Sequence, residues 1–264
     1  MHSASDVPAP HASGTPVVLL HGVGLDRTMW DPLIARLETD GHRCIAIDLP
    51  GHGAQPPLRE PQTLASLAAD VLERLPNGAP DDRVHLVGFS LGALIAQHIA
   101  RFAPDRVATL TSVNSVCRRT PDEAAKVEAR LATAGDDFAE GVEASIERWY
   151  PAATTTVPPE VIAGTRRTLL ANDLESYLHA YTVFVRGDRE IGPELGAISA
   201  PALAITGELD PGSTPEMSRR LAAAIPDCRV TIVPGARHMM PVEDTPALAP
   251  AITAFIAASE GRSS

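Results

Sequence analysis

In the stretch HLVGFSLGAL, a serine stands between two glycines, where an apolar run at 83–87 meets a helical pattern at 91–102. Strand-like and helix-like periodicity joined with so short a link force Ser90 onto a very tight turn. A serine hydroxyl in such a place is a weak nucleophile until a base removes its proton, and then it can attack a carbonyl carbon. The Gly-x-Ser-x-Gly pattern is common by itself; its strand-to-helix setting makes it informative. The chemistry therefore requires a base elsewhere in the chain, and an acid to orient that base.

The elements that must position these groups are legible as two periodicities. Apolar runs at 17–20, 43–48, 83–87 and 107–113 alternate with helical patterns at 28–39, 63–75 and 91–102. This alternation predicts an α/β fold: a mostly parallel, doubly wound sheet with helices on both faces. From residue 118 to 194 the spacing is helical, as in Phe138, Val142, Ile146 and Trp149, with Pro151, Pro158 and Pro159 as breaks. Alternation resumes with runs at 202–206 and 229–233 and helices at 213–225 and 242–258. The expected organisation is an α/β core at 16–118 and 194–264, a helical cap at 119–193, and a disordered or extended leader at 1–15.

In doubly wound sheets, functional groups gather beyond the carboxyl ends of the strands. The first run is followed by His21-Gly22-Val23-Gly24, the second by Asp48-Leu49-Pro50-Gly51-His52-Gly53, and the third by the Ser90 turn. The last two are followed by Gly207-Glu208-Leu209-Asp210 and Pro234-Gly235-Ala236-Arg237-His238. A serine, an acid and a histidine thus fall in that order along one sheet edge.

That order, with these strand contexts, resembles the α/β-hydrolase fold family over nearly the whole chain, from Pro16 to Ile256. The resemblance implies a nucleophile elbow in which Ser90 is strained and Gly88 and Gly92 supply room. It implies His238 as the base and Asp210, rather than its rival Glu208, as the group that orients it. It places the oxyanion hole at the backbone N–H groups of Val23 and Leu91, and gives His21 and His52 loop-holding roles. No metal or cofactor is implied. Relatives that place an aspartate at the elbow, the haloalkane dehalogenases and epoxide hydrolases, are excluded by Ser90. Members commonly open with a strand hairpin, whereas only fifteen mostly polar residues precede Pro16, so those strands are expected to be missing or reduced to one short edge strand.

Within the family, HGVGLDRTMWDPLIARL, DLPGHG and VPGARHMMPVED resemble the 3-oxoadipate enol-lactonase branch and related hydrolases of ring-cleavage products. These include amidohydrolases that cleave enamides of the aminomethylene-succinate type. The resemblance implies a small substrate bearing carboxylates; ester, lactone, thioester, amide and activated carbon–carbon bonds all stay open. The helical stretch carries Arg118, Arg119, Lys126, Arg130, Arg148, Arg166, Arg167 and Arg186 in an otherwise acidic chain. Most such residues belong on solvated helix faces. Arg130 and Arg148, each beside apolar positions, are the first candidates for gripping a carboxylate, and Arg118 and Arg119 the second. Trp149, Tyr181, Phe184 and Met239 are candidate walls of the pocket.

Composition narrows the partners. The 264 residues carry a formal net charge of −11, with no run of lysine or arginine, so nucleic acid and anionic membranes are poor partners. Aromatic residues make up only 4%, too few for a base-stacking platform. No apolar stretch reaches the ~20 residues of a membrane span, and the N-terminal residues do not form a secretory signal. A cytoplasmic protein is expected, monomeric or homodimeric, with a small-molecule substrate as its partner. Cys44, Cys117 and Cys228 are odd in number and far apart, and read as buried thiols. Rival activities are a perhydrolase, haloperoxidase or carbon–carbon hydrolase on the same triad, or a receptor that binds a small molecule without turnover. Lipid substrates fit poorly with so many cap arginines.

Overall fold

Among the described residues, six strands pair side by side in the order β2-β1-β3-β4-β5-β6, all parallel. They are β1 (Val17–Leu20), β2 (Cys44–Ile47), β3 (Val84–Phe89), β4 (Val107–Val113), β5 (Ala202–Gly207) and β6 (Cys228–Val233). The computed structural model describes residues 14–77, 82–153, 155 and 157–262. Residues 1–13, most of the expected leader, lie outside the described residues, and among those described no strand precedes β1.

Alternation along each strand divides the core in two. Val17 and Leu19 face one helical layer, with Trp30, Leu33 and Leu37 beside α1 (Asp31–Thr39) and Ile252 and Phe255 of α10 (Thr245–Glu260). Val18 and Leu20 face the other, with Leu64 and Leu67 of α2 (Leu64–Glu73), Leu94 of α3 (Leu91–Phe102) and Leu221 of α8 (Pro215–Ala224). Burial on both faces is why these strands are near-continuous apolar runs. The helical pattern at 242–258 is divided at Asp244 into a short α9 (Met240–Glu243) and α10, and the Asp244 carboxylate accepts the Ala247 N–H at 3.3 Å.

The winding fixes where a site can form. The chain leaves β1 for β2 at the sheet edge, then returns so that β3 flanks β1 on its other side, with Leu20 opposite Gly88. The crevice between the carboxyl ends of β1 and β3 is therefore the switch point of the sheet.

Among the described residues, four α-helices intervene between the adjacent strands β4 and β5: α4 (Pro121–Thr133), α5 (Phe138–Trp149), α6 (Pro159–Leu170) and α7 (Leu174–Ile191). Thr120 and Glu123 form a reciprocal capping box at the start of α4, and Asp137 and Asp173 cap α5 and α7. Arg119 and Asp188, both buried, form an ion pair at 2.6 Å that ties the two ends of this insertion together. The α6–α7 corner is bound to the core: Asn172 Nδ2 donates to the Gly24 carbonyl at 2.8 Å, and Ser176 Oγ donates to the Gly51 carbonyl at 3.0 Å. Arg59 pairs with Asp173 at 3.1 Å.

All three cysteines are free, but only Cys117 is buried; Cys44 and Cys228 are half-buried at the sheet edges, because β2 and β6 each have one strand neighbour and incomplete helical cover. Among the described residues no helix is long and apolar enough to cross a membrane.

Candidate active site

Ser90 sits on the one-residue link between β3 and α3 with φ 53° and ψ −112°, a conformation that a residue with a Cβ adopts only under strain. What holds it there is the packing of the two glycines. A Cβ on Gly88 would overlap the backbone of Gly92 and come within 2.6 Å of Ala93 Cα; one on Gly92 would overlap the Leu20 carbonyl and lie 2.6 Å from the His21 carbonyl oxygen. The Ser90 N–H donates to the Val113 carbonyl at 3.1 Å, and the Gly92 N–H to the His21 carbonyl at 3.1 Å. Leu91 is the first residue of α3, where a backbone N–H has no acceptor within the helix.

The turn after β1 lies directly against the serine, since a Cβ on Gly22 would be 3.2 Å from Ser90 Cβ. His21 holds this turn. Its Nδ1 donates to the Gly22 carbonyl at 2.8 Å and its Nε2 accepts the Leu49 N–H at 2.9 Å, joining the loops after β1 and β2. Burial first, then the neighbouring His52, keep the His21 pKa well below its usual value, so it remains a neutral strut. His52 Nδ1 donates to the Pro50 carbonyl at 3.0 Å, and its ring meets His21 edge-on at 5.1 Å.

On the far side of the crevice, His238 Nδ1 donates to Asp210 Oδ2 at 2.7 Å. This fixes the tautomer that leaves Nε2 free to accept a proton. Asp210 is buried and receives three further bonds: from the backbone N–H groups of Gly212 (2.8 Å) and Ser213 (2.9 Å) to Oδ1, and from Asn114 Nδ2 (2.7 Å) to Oδ2. Burial pushes its pKa up, but His238 and these donors outweigh that and hold it below the usual carboxylate value. Asn114, at φ 47° directly after β4, also donates to the Arg237 carbonyl at 3.2 Å and so braces the histidine loop. Sequence reasoning passed over Asn114, although a polar residue at the carboxyl end of a central strand was a readable signal. Glu208 accepts the Gly235 N–H at 3.0 Å and lies outside the crevice.

Ser90, Asp210, His238 and Val23 line one cavity of about 280 Å³, roofed by α4, α5 and α7. Arg130, Arg148, Trp149, Tyr181 and Phe184 also line it. Arg148 Nη2 donates to Ser145 Oγ at 2.9 Å and its Nη1 to the Ala144 carbonyl at 3.3 Å, with no carboxylate partner among the described residues. Burial, then the positive charge of Arg130, push the Arg148 pKa down, a strain that an anion between the two would relieve. Arg119 reaches the cavity but is paired with Asp188.

Two candidates lie elsewhere. The Arg118 guanidinium turns away to donate to the Gly192 carbonyl at 3.0 Å. Met239 is fully buried in the core layer that holds Trp30 and Phe89, because the turn that presents His238 to the cavity directs the next side chain beneath it. No cluster of histidine, cysteine, aspartate or glutamate among the described residues is arranged to hold a metal ion. None of the three cysteines lines the cavity, and burial pushes the Cys117 thiol up to about 11 and those of Cys44 and Cys228 up to about 12.

The chain is 31% identical over 232 residues to (E)-2-((N-methylformamido)methylene)succinate hydrolase of Acinetobacter baylyi, covering 86% of this chain and 84% of that protein. It is 27% identical over 198 residues to 3-oxoadipate enol-lactonase 1 of the same organism, covering 75% and 72%. The crystal structure of the enol-lactonase from Burkholderia xenovorans superposes with a TM-score of 0.81 at 26% identity, covering 94% of each chain. The sequence profile of the alpha/beta hydrolase family matches residues 17–251, and the chain belongs to that family.

Proposed function

We propose that the protein is a cofactor-independent serine hydrolase acting on a small, carboxylate-bearing lactone, ester or enamide from aromatic or heteroaromatic ring degradation. The observation that carries this reading is the Asp210–His238 bond at 2.7 Å, which opens on the same cavity as a serine held at positive φ. Ser90 Oγ attacks the carbonyl carbon while His238 Nε2 takes its proton. The oxyanion receives the N–H groups of Val23 and Leu91. Collapse expels the leaving group, which takes the proton from His238, and leaves an acyl-enzyme on Ser90. Water, deprotonated by His238, then releases the acid and restores the serine. Helices α4–α7 serve as the cap, and a cytoplasmic location accords with the sequence.

The carboxylate preference is supported by Arg130 and Arg148, two cavity-lining cations without carboxylate partners among the described residues. The names of the succinate hydrolase and enol-lactonase relatives point the same way. The test is hydrolysis of matched carboxylated and neutral esters by wild type, Ser90→Ala, Arg130→Gln and Arg148→Gln. Ser90→Ala is expected to lose all turnover. Each arginine variant is expected to lose about tenfold or more in kcat/KM on the carboxylated ester alone, the size of a charge-assisted bond. Full activity in Ser90→Ala would refute the serine mechanism; equal losses on both esters would refute the carboxylate contact.

A further inference from the structure

The Asp210 carboxylate anchors one nitrogen of His238, yet a single hydrogen bond leaves the imidazole free to swing about that contact. Two aromatic rings remove this freedom. Phe89, from the end of β3, lies 4.9 Å from the His238 ring centroid at 49°, and Trp149 lies 5.5 Å away and nearly parallel, at 27°. Phe89 belongs to the sheet and is itself braced edge-on by Trp30 at 6.4 Å. Trp149 comes from the last residue of α5, in the helical insertion, and its predecessor Arg148 reaches into the same cavity.

We propose that Trp149 is a positioning residue for His238: its indole fixes the imidazole plane against Phe89, and it ties that ring to the seating of Arg148 on the same helix end. This inference rests on the reading of Ser90 as a nucleophile activated by His238. Two physical effects follow from the stack. The ring presents its free nitrogen to the cavity in one orientation, which proton transfer requires. The electron-rich indole face also favours the imidazolium that forms when the serine proton arrives. The titratable and charged groups around His238 are Asp210 in the loop after β5 and the raised carboxyl of Glu243 on α9, with Arg148 facing Asp210 from α5. Trp149 is uncharged, so its substitution adds no charge to this set and removes none.

The experiment measures the rate of fluorophosphonate labelling of Ser90 against pH, which needs no knowledge of the substrate and does not involve carboxylate recognition. It compares wild type with Trp149→Leu, which keeps apolar bulk without a π face, and Trp149→Phe, which restores a ring. Trp149→Leu is expected to label about tenfold more slowly at its plateau. Its acid limb is expected to move down by about half a pH unit, because the imidazolium loses its stacking partner. Trp149→Phe is expected to lie between, and carries the same prediction if the leucine variant fails to fold. Titration of the His238 Cε1–H resonance in the Ser90→Ala background reads the same shift without any reaction. Unchanged rates and midpoints in labelled proteins overturn the proposal alone. Slower labelling with an unmoved midpoint also overturns it, leaving Trp149 as packing. Absence of labelling in folded wild type overturns the serine mechanism and this inference with it.

Discussion

The turn at Ser90 and the inner end of α5 look onto the same cavity, yet different forces hold them. At the turn, position is dictated by backbone against backbone: glycines beside carbonyls, and a positive φ locked by neighbouring strands. At α5, position is dictated by side chains: Val142 and Ile146 in the core layer, Glu143 paired with Arg166 at 2.7 Å, and Trp149 against His238. The first arrangement admits almost no substitution. The second can be repacked, so under the proposed function the chemistry would belong to the rigid region and the discrimination to the adaptable one.

The strongest way to break this comparison is Gly92→Val. Its side chain would press into the carbonyls of Leu20 and His21, and the expected outcome is loss of the cooperative urea transition. A folded, labelled variant would show that the turn yields more than its geometry implies. Next is Asp188→Ala, at the buried ion pair that closes the insertion. It leaves Arg119 buried without its counter-charge, and should cost about 3 kcal/mol or more in urea unfolding. A loss near zero would extend the adaptable region to the base of the insertion.

The smallest effect belongs to the seam between the two, where Glu243 Oε1 accepts the Arg237 N–H at 2.7 Å. Burial raises this carboxyl to about 7, so the folded protein keeps a proton there that the unfolded chain has already released. Stability is therefore lost as pH rises from the ordinary carboxyl value, about 4.3, towards the folded value, and the deficit persists above it. Glu243→Gln keeps the acceptor and removes the charge. It should match wild type near about pH 4 and exceed it by about 1–2 kcal/mol near about pH 8, after discounting for partial exposure. Equal stability at both would place the carboxylate in contact with water.

The same contrast explains what could be read from the sequence. The strands agree with their apolar runs to within two residues, and the groups after β1, β3, β5 and β6 meet at one crevice, because periodicity and turn chemistry are local. Asn114 is equally local, a polar residue directly after the apolar run of β4. The stack of Trp149 on His238 was not legible. The spacing of Val142, Ile146 and Trp149 gives a buried stripe, but nothing in it names a partner far away in the chain. Arg118 and Met239 are placed away from the cavity by contacts that local pattern does not carry, the one with the Gly192 carbonyl and the other within the core layer.

The Arg119–Asp188 pair joins the first residue of the helical insertion to its last helix, while β4 and β5, the strands it leaves and rejoins, lie side by side. The whole segment is thus a closed excursion from one place on the sheet. Its contents can be exchanged without rerouting the strands on either side of it. A graft must bring its own closing pair, and also partners for the His238 ring and for the loops after β1 and β2 that the insertion now braces.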